Sequence, residues 1–261
     1  IMRLNGNPQH SHLFADRGNY IGTWQRIDLP LFIDAEYIMF VDSDTIISNT
    51  FDMYDFGLDV TPGLAASAEA DEDFIVPWNV GVVLFNIPKL RETHEVFMEF
   101  INSHTDNPRF AHGNISDQGA YLEFYADVVQ FLDTIFNVKP YWEKKQTFEN
   151  RKIVHFHGLK PHDFLKIFMG YPLESWASAL HSTVRRKGKK MSLACMVMHD
   201  FSKYISKDEE NLRDYCEYAF GKEGENKVDI CIKFFLNLGA EEGGNKKCTK
   251  HLDASFLGVT A

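Results

Sequence analysis

An α/β layered domain over residues 1–168, followed by a helical, cysteine-bearing region over 169–261, is the organisation the sequence predicts. Three observations carry it. Short continuous apolar runs, YIMFV at 37–41 and NVGVVLFNI at 79–87, are rich in β-branched and aromatic residues and suit strands covered on both faces, as in a parallel sheet. Between such runs lie stretches whose apolar residues recur at helical spacing, and strands alternating with helices indicate a layered α/β domain. Beyond Gly170 the texture changes to helical stretches separated by loops containing Gly and Lys, and all four cysteines (Cys195, Cys216, Cys231, Cys248) fall in the last quarter.

Element by element, NYIGTWQRIDLPLFI (19–33) reads as a helix stopped or kinked near Pro30. YIMFV follows as a strand, GLAASAEA is a weaker strand candidate, and NVGVVLFNI is a strong one. Pro88 is suited to the first residue of the next helix, in which Leu90, Phe97 and Ile101, with Val96 and Phe100 beside them, recur at helical spacing. Asp117 in SDQGAYLEFYAD stands where an N-cap would stand, ahead of a helix carrying Tyr121, Phe124 and Tyr125. VVQFLD and KIVHFH read as further strands, DEENLRDYCEYAF and DICIKFFLNL as helices.

The chain has 261 residues and a formal net charge of −10, which argues against a nucleic-acid backbone as partner, since that needs clustered Lys and Arg. The basic run RRKGKK (185–190) reads as a solvated loop. No uncharged apolar run reaches the roughly 18–20 residues of a membrane span, and neither a membrane anchor nor a signal peptide is visible. The cysteines contain no CxxC pair, which disfavours a zinc ribbon and leaves disulfides in a secretory lumen or buried thiols open. With the sequon NIS (114–116), they tilt the compartment toward a Golgi or secretory lumen over cytoplasm.

Asp42 and Asp44 close the first strand, one residue apart. Acids are common at turns and as caps. At the carboxyl end of a buried strand, however, they occupy the edge where open α/β sheets bind ligands. In an extended chain, residues i and i+2 project to one side, so both carboxylates would face one hard cation, Mn²⁺ or Mg²⁺. On this reading the charge that compensates the two acids is a metal.

In order along the chain come RIDLP, YIMFVDSDTII, WNVGVVLFN, SDQGAY and KIVHFHGLKP. Over residues 19–161 this series resembles the nucleotide-sugar-dependent retaining transferases of glycosyltransferase family 8, the glycogenin and bacterial galactosyltransferase group. The resemblance implies a GT-A type nucleotide-diphospho-sugar transferase fold, Rossmann-like, with a mostly parallel sheet flanked by helices. It implies that Asp42, Asp44 and His155 bind Mn²⁺, with Mg²⁺ as the alternative, and that Gly158 and Lys160 hold the diphosphate. By the same resemblance Arg26 contacts the donor, Ser43 lies under the ribose and Asn79 touches the donor sugar. Asp117 and Gln118 flank the anomeric carbon as catalytic residues, Asp117 binding sugar hydroxyls and Gln118 on the reacting face.

Two departures from the family pattern stand out. HGLKPH is one residue shorter between glycine and lysine, and His162 takes the place of a tryptophan. Only 41 residues precede Asp42, so about two βα units of the family's uracil-binding start, on the order of 60 residues, are expected to be absent. The chain reads as an N-terminally truncated relative.

The implied activity is transfer of a sugar from a UDP-sugar to a hydroxyl of a glycan, lipid or protein. Glu69 and Asp71 are acceptor-contact candidates against the simpler reading of solvated loop acids. Two other classes compete. His155, His157, His162 and Asp163 are dense enough for a metal-dependent hydrolase, and a non-catalytic sugar-nucleotide-binding or scaffold relative would keep the fold without turnover.

Overall fold

The structure is a computed structural model that describes residues 21–57, 63–68, 77–104, 109–114, 116–140, 149–168, 197–205, 208–221 and 225–239. In chain order its named elements are α1 (Ile21–Trp24), a 3-10 turn (Gln25–Asp28), α2 (Leu29–Phe32), β1 (Tyr37–Val41), β2 (Thr45–Ile47), β3 (Leu64–Ala68), β4 (Trp78–Asn86), α3 (Ile87–Ser103), α4 (Asp117–Phe124), β5 (Gln130–Leu132), β6 (Ile153–His155), α5 (Pro161–Phe168), α6 (Glu209–Phe220) and α7 (Glu225–Gly239). The helix expected over residues 19–33 is thus broken into three pieces. Pro30 sits in the first turn of α2, where its missing N–H is no loss, so the chain tightens into the 3-10 turn just ahead of it.

These elements form two compact units. One comprises the chain through Asp42 together with Phe51–Phe136; the other comprises Ser43–Thr50 and the chain from Asn137 onward. The first unit holds a four-stranded sheet in the order β1-β4-β3-β5. β4 is buried at all nine positions, its apolar run from Val80 to Phe85 flanked by the buried Asn79 and Asn86. Its neighbours show the period of two that a sheet between two apolar layers imposes. Leu64, Ala66, Phe85 and the half-buried Ile38 and Phe40 face a core built on Trp24, Phe97 and Tyr121. Ala65 and Leu84, with the half-buried Tyr37 and Met39, face a smaller core around Phe56 and Phe136.

The α/β class expected from the sequence holds, but the described sheet is mixed rather than mostly parallel. β1 pairs antiparallel with β4 from Tyr37↔Asn86 to Val41↔Val82, β3 also pairs antiparallel with β4, and only β3 and β5 run parallel. An apolar run signals burial and says nothing of strand direction. β1 in fact lies at the end of the order and is half-buried, with Val41 exposed.

α3 begins at Ile87, one residue before Pro88, because the Asn86 side chain caps it by accepting from the Lys89 amide. Leu90, Phe97 and Ile101 are buried as their spacing predicts, whereas Val96 is 57% exposed and belongs to the outer face. At α4 the cap is Ser116, not Asp117. Asp117 is the first helical residue, and its side chain is used elsewhere. The turn before α4 is tied by Asn114, whose Oδ1 accepts from both the amide and the hydroxyl of Ser116.

In the second unit β2 pairs antiparallel with β6, Thr45 opposite His155 and Ile47 opposite Ile153. Val138 bridges Val154 from the other side of β6. The described elements beyond residue 168 are helices: residues 197–202, α6 and α7. Cys216 on α6 and Cys231 on α7 form a disulfide; Cys195 and Cys248 lie outside the described residues, as does the basic run at 185–190. Among the described residues no helix is long and apolar enough to cross a membrane.

Gly119 in α4 packs directly on the 110–114 turn. A Cβ there would stand 2.8 Å from Asn114 Cβ and 3.0 Å from both the Asn114 carbonyl oxygen and Phe110 Cβ. Gly119→Ala gains about 1 kcal/mol in helix propensity but overpacks backbone, at about 1–3 kcal/mol. A net loss of up to about 2 kcal/mol is expected, read as a fall in thermal midpoint; a raised midpoint would show that the turn yields freely.

Candidate functional site

Arg26 organises the first unit's site. It lies on the 3-10 turn, only 4% exposed, and a guanidinium so buried must have every edge matched. Its Nη1 donates to the Val80 carbonyl at 2.6 Å, and its Nη2 donates to Asp42 Oδ1 at 3.2 Å. Nε donates to the Thr23 carbonyl at 3.2 Å and lies 2.6 Å from Asp117 Oδ2. The ring of Phe40 sits under the charge, 4.4 Å from the guanidinium carbon. Arg26 therefore joins Asp42, at the end of β1, to Asp117, at the start of α4.

Asp117 is 1% exposed. Burial pushes its carboxyl up, to about 6, with Arg26 pulling down and the Asp42 charge adding to the rise. The neighbouring Gln118 accepts at Oε1 from Asn79 Nδ2 at 2.9 Å. Asn79 is itself fixed, because its Oδ1 accepts from the Gly81 amide at 2.8 Å. With the oxygen end of Asn79 committed to backbone, its amide nitrogen faces Gln118. The same stretch holds the acidic turn, since the Asp42 amide donates to the Gly81 carbonyl at 2.7 Å.

In the second unit the pairing of β2 with β6 brings Asp44 beside His155. The Phe156 amide donates to the Asp44 carbonyl at 2.8 Å, and His155 Nε2 lies 3.2 Å from Asp44 Oδ1. The Lys160 ammonium pairs with Asp44 Oδ2 and also donates to the Phe156 carbonyl at 3.1 Å. Gly158 permits this return: its φ of +88° is one that residues with a Cβ rarely adopt, and it turns the chain so that Lys160 folds back. Burial would raise the Asp44 carboxyl, but His155 and Lys160 outweigh it and hold it well below the usual carboxylate range. His157 is pushed the other way, down to about 3, by burial and then by Lys139, so it is neutral at physiological pH.

The unit boundary falls inside the acidic triplet, and Ser43, exposed in the turn, separates Asp42 from Asp44 by a single residue. The triplet is a turn rather than the extended strand end expected. Asp42, Asp44 and His155 offer ligand atoms that all lie within 4.8 Å of one another, the one such trio of His, Cys, Asp or Glu among the described residues. Two carboxylate oxygens and an imidazole nitrogen suit Mn²⁺, and Mg²⁺ less closely. Protein cations also stand against both acids, a feature the sequence reading did not anticipate: Arg26 pairs with Asp42 and Lys160 with Asp44.

The structure thus joins Arg26, Asp42 and Asp117 in one group, Asn79 and Gln118 in a second, and Asp44, His155 and Lys160 in a third. Arg26 is committed to protein groups rather than presented outward. Glu69 and Asp71 lie outside the described residues. Among the described residues, His155, His157, His162 and Asp163 do not form a metal-holding group; Asp163 Oδ2 accepts from the Lys160 amide at 2.9 Å, tying the entry to α5, and His162 Nε2 lies 3.7 Å from Asp163 Oδ1. Sequence reasoning missed Asn137, whose Oδ1 lies 3.0 Å from His155 Nδ1. No spacing or motif in a single sequence links positions 137 and 155.

The family model described as glycosyl transferase family 8 matches residues 8–164. Among solved structures, the apo-form glycosyltransferase GlyE of Streptococcus pneumoniae TIGR4 is similar at 19% identity, covering 70% of this chain and 46% of that one, with a TM-score of 0.43. The galactosyltransferase LgtC, solved in complex with donor and acceptor sugar analogs, is similar at 17% identity over 66% of this chain and 71% of its own, TM-score 0.44. The chain therefore spans less than half the length of GlyE. No curated protein matches it. With a family model covering more than half of its residues, the chain belongs to glycosyltransferase family 8.

Proposed function

We propose that this chain carries the catalytic part of a GT-A-type glycosyltransferase that moves a sugar from a UDP-sugar to an acceptor hydroxyl, with retention at the anomeric carbon and dependence on Mn²⁺ or Mg²⁺. The observation that carries the reading is the Asp42, Asp44 and His155 trio, assembled from the acidic turn and β6. When bound there, the ion would supply Lewis-acid stabilisation of the diphosphate leaving group. The chain's own groups do the rest. Gly158 brings backbone close to phosphate, and Lys160, on leaving Asp44, offsets the charge that develops on the departing oxygen. Asp117, clamped by Arg26, binds sugar hydroxyls, and Gln118, steered by Asn79, sits on the reacting face. Ser43 lies under the ribose.

In the reaction favoured here, the bond between the anomeric carbon and the phosphate oxygen breaks, and the acceptor oxygen bonds to the same face. The acceptor proton passes to the departing phosphate oxygen, which yields the glycoside and UDP and needs no protein nucleophile. Gln118 would be a poor nucleophile in any case. The Cys216–Cys231 disulfide supports maturation in an oxidising secretory compartment. One observation favours a non-catalytic binding relative instead, namely that both acids already carry protein cations. A screen of UDP-sugars with Mn²⁺ on the complete gene product, reading released UDP, separates the two.

Three outcomes are expected. Asp44→Ala lowers UDP release by about 100-fold or more, and turnover equal to the parent would remove Asp44 from the site. Gln118→Ala lowers kcat more than it changes donor KM; the reverse pattern would make Gln118 a binding group. For Asp117 the sign follows from its raised folded pKa of about 6. Between the unfolded value and 6 the folded state binds more protons, so this group's contribution to stability falls as pH rises through that window. Without added metal, the stability of the parent relative to Asp117→Asn should therefore drop by about 2–3 kcal/mol from pH 4 to pH 7, measured by denaturant unfolding. A difference that grows with pH would contradict the buried, proton-binding carboxyl.

A further inference from the structure

We propose that Asn137 is a positioning residue that aims His155 Nε2 at the metal-binding edge by holding the opposite ring nitrogen; this rests on the metal reading above. Asn137 and His155 are each 1% exposed, so neither side chain has bulk water as an alternative partner. Their separation, Asn137 Oδ1 to His155 Nδ1, is 3.0 Å. An amide oxygen only accepts, so this bond places the proton on Nδ1. With Nδ1 holding its proton, the proton that ligation of an ion would displace is the one on Nε2, so the lone pair would fall on the atom that stands 3.2 Å from Asp44 Oδ1.

The backbone fixes this contact. Val138, next in sequence, donates to the Ile153 carbonyl at 3.0 Å and accepts from the His155 amide at 2.8 Å, clamping the 137–138 segment to both ends of β6. Asn137 can therefore drift little relative to the ring. A hydrogen-bond acceptor behind a ligating histidine both orients the ring and raises its basicity. The Asn137 amide fills that place without bringing a third negative charge beside Asp42 and Asp44. An aspartate in its position would do the same work while crowding the site with a third carboxylate.

The test is Mn²⁺ affinity of the full chain, followed by electron paramagnetic resonance without nucleotide or turnover. Asn137→Leu, which removes the acceptor and excludes water, should weaken Mn²⁺ binding by about 10–100-fold. Asn137→Asp, which keeps an acceptor, should stay within about 3-fold of the parent, a rescue that a merely structural role would not give. In a His155→Ala background, Asn137→Leu should change nothing further, because the effect runs through the imidazole. Where circular dichroism shows the leucine variant unfolded, Asn137→Ala replaces it. If His155→Ala weakens binding but Asn137→Leu leaves it intact, or if Asn137→Leu weakens it equally without His155, the positioning role is overturned. If the parent binds Mn²⁺ no better than His155→Ala, the metal reading itself fails and takes this one with it.

Discussion

A guanidinium taken out of water must be surrounded by acceptors, and Arg26 imposes that demand on the whole first unit. One carbonyl of β4, one of α1 and two carboxylates from distant segments converge on it because no solvent can substitute for them. Removing one partner from such a buried group typically costs about 3–5 kcal/mol, whereas replacing the set by well-packed apolar residues can be neutral. The cluster is thus poor evidence of stability for its own sake. What it does secure is geometry, since Asp42 and Asp117 cannot move independently while they share one cation.

The second unit applies the same rule with a softer cation. Lys160 is half-buried, on a flexible stem, and reaches Asp44 only because Gly158 reverses the chain. An ammonium is a rotatable point charge, unlike the rigid planar fork of arginine. That difference shows in the contacts: Arg26 is fixed by two carbonyls and two carboxylates, while Lys160 meets Asp44 and the Phe156 carbonyl. Neighbouring His157, kept neutral by burial, adds no competing charge.

What the sequence made legible follows from how local the physics is. β4 and α3 were readable because burial on two faces and helical periodicity are written into consecutive residues, as Val82 to Phe85 and Leu90, Phe97 and Ile101 demonstrate. The acidic triplet and His155 were readable through motif order. Strand direction was not, because YIMFV has the same composition whichever way its neighbour runs. Ser116 rather than Asp117 stands at the cap position, and the Asp117 carboxylate pairs with the distant Arg26. Asn137 was invisible, since its meaning comes only from the bridge that sets Val138 against Val154.

One consequence follows from the provision of a protein cation for each acid of the triplet. In small zinc domains, unpaired ligands make folding wait on the ion, so chelators unfold them. Here Arg26 stands against Asp42 and Lys160 against Asp44, so the polypeptide itself offsets charge on both acids.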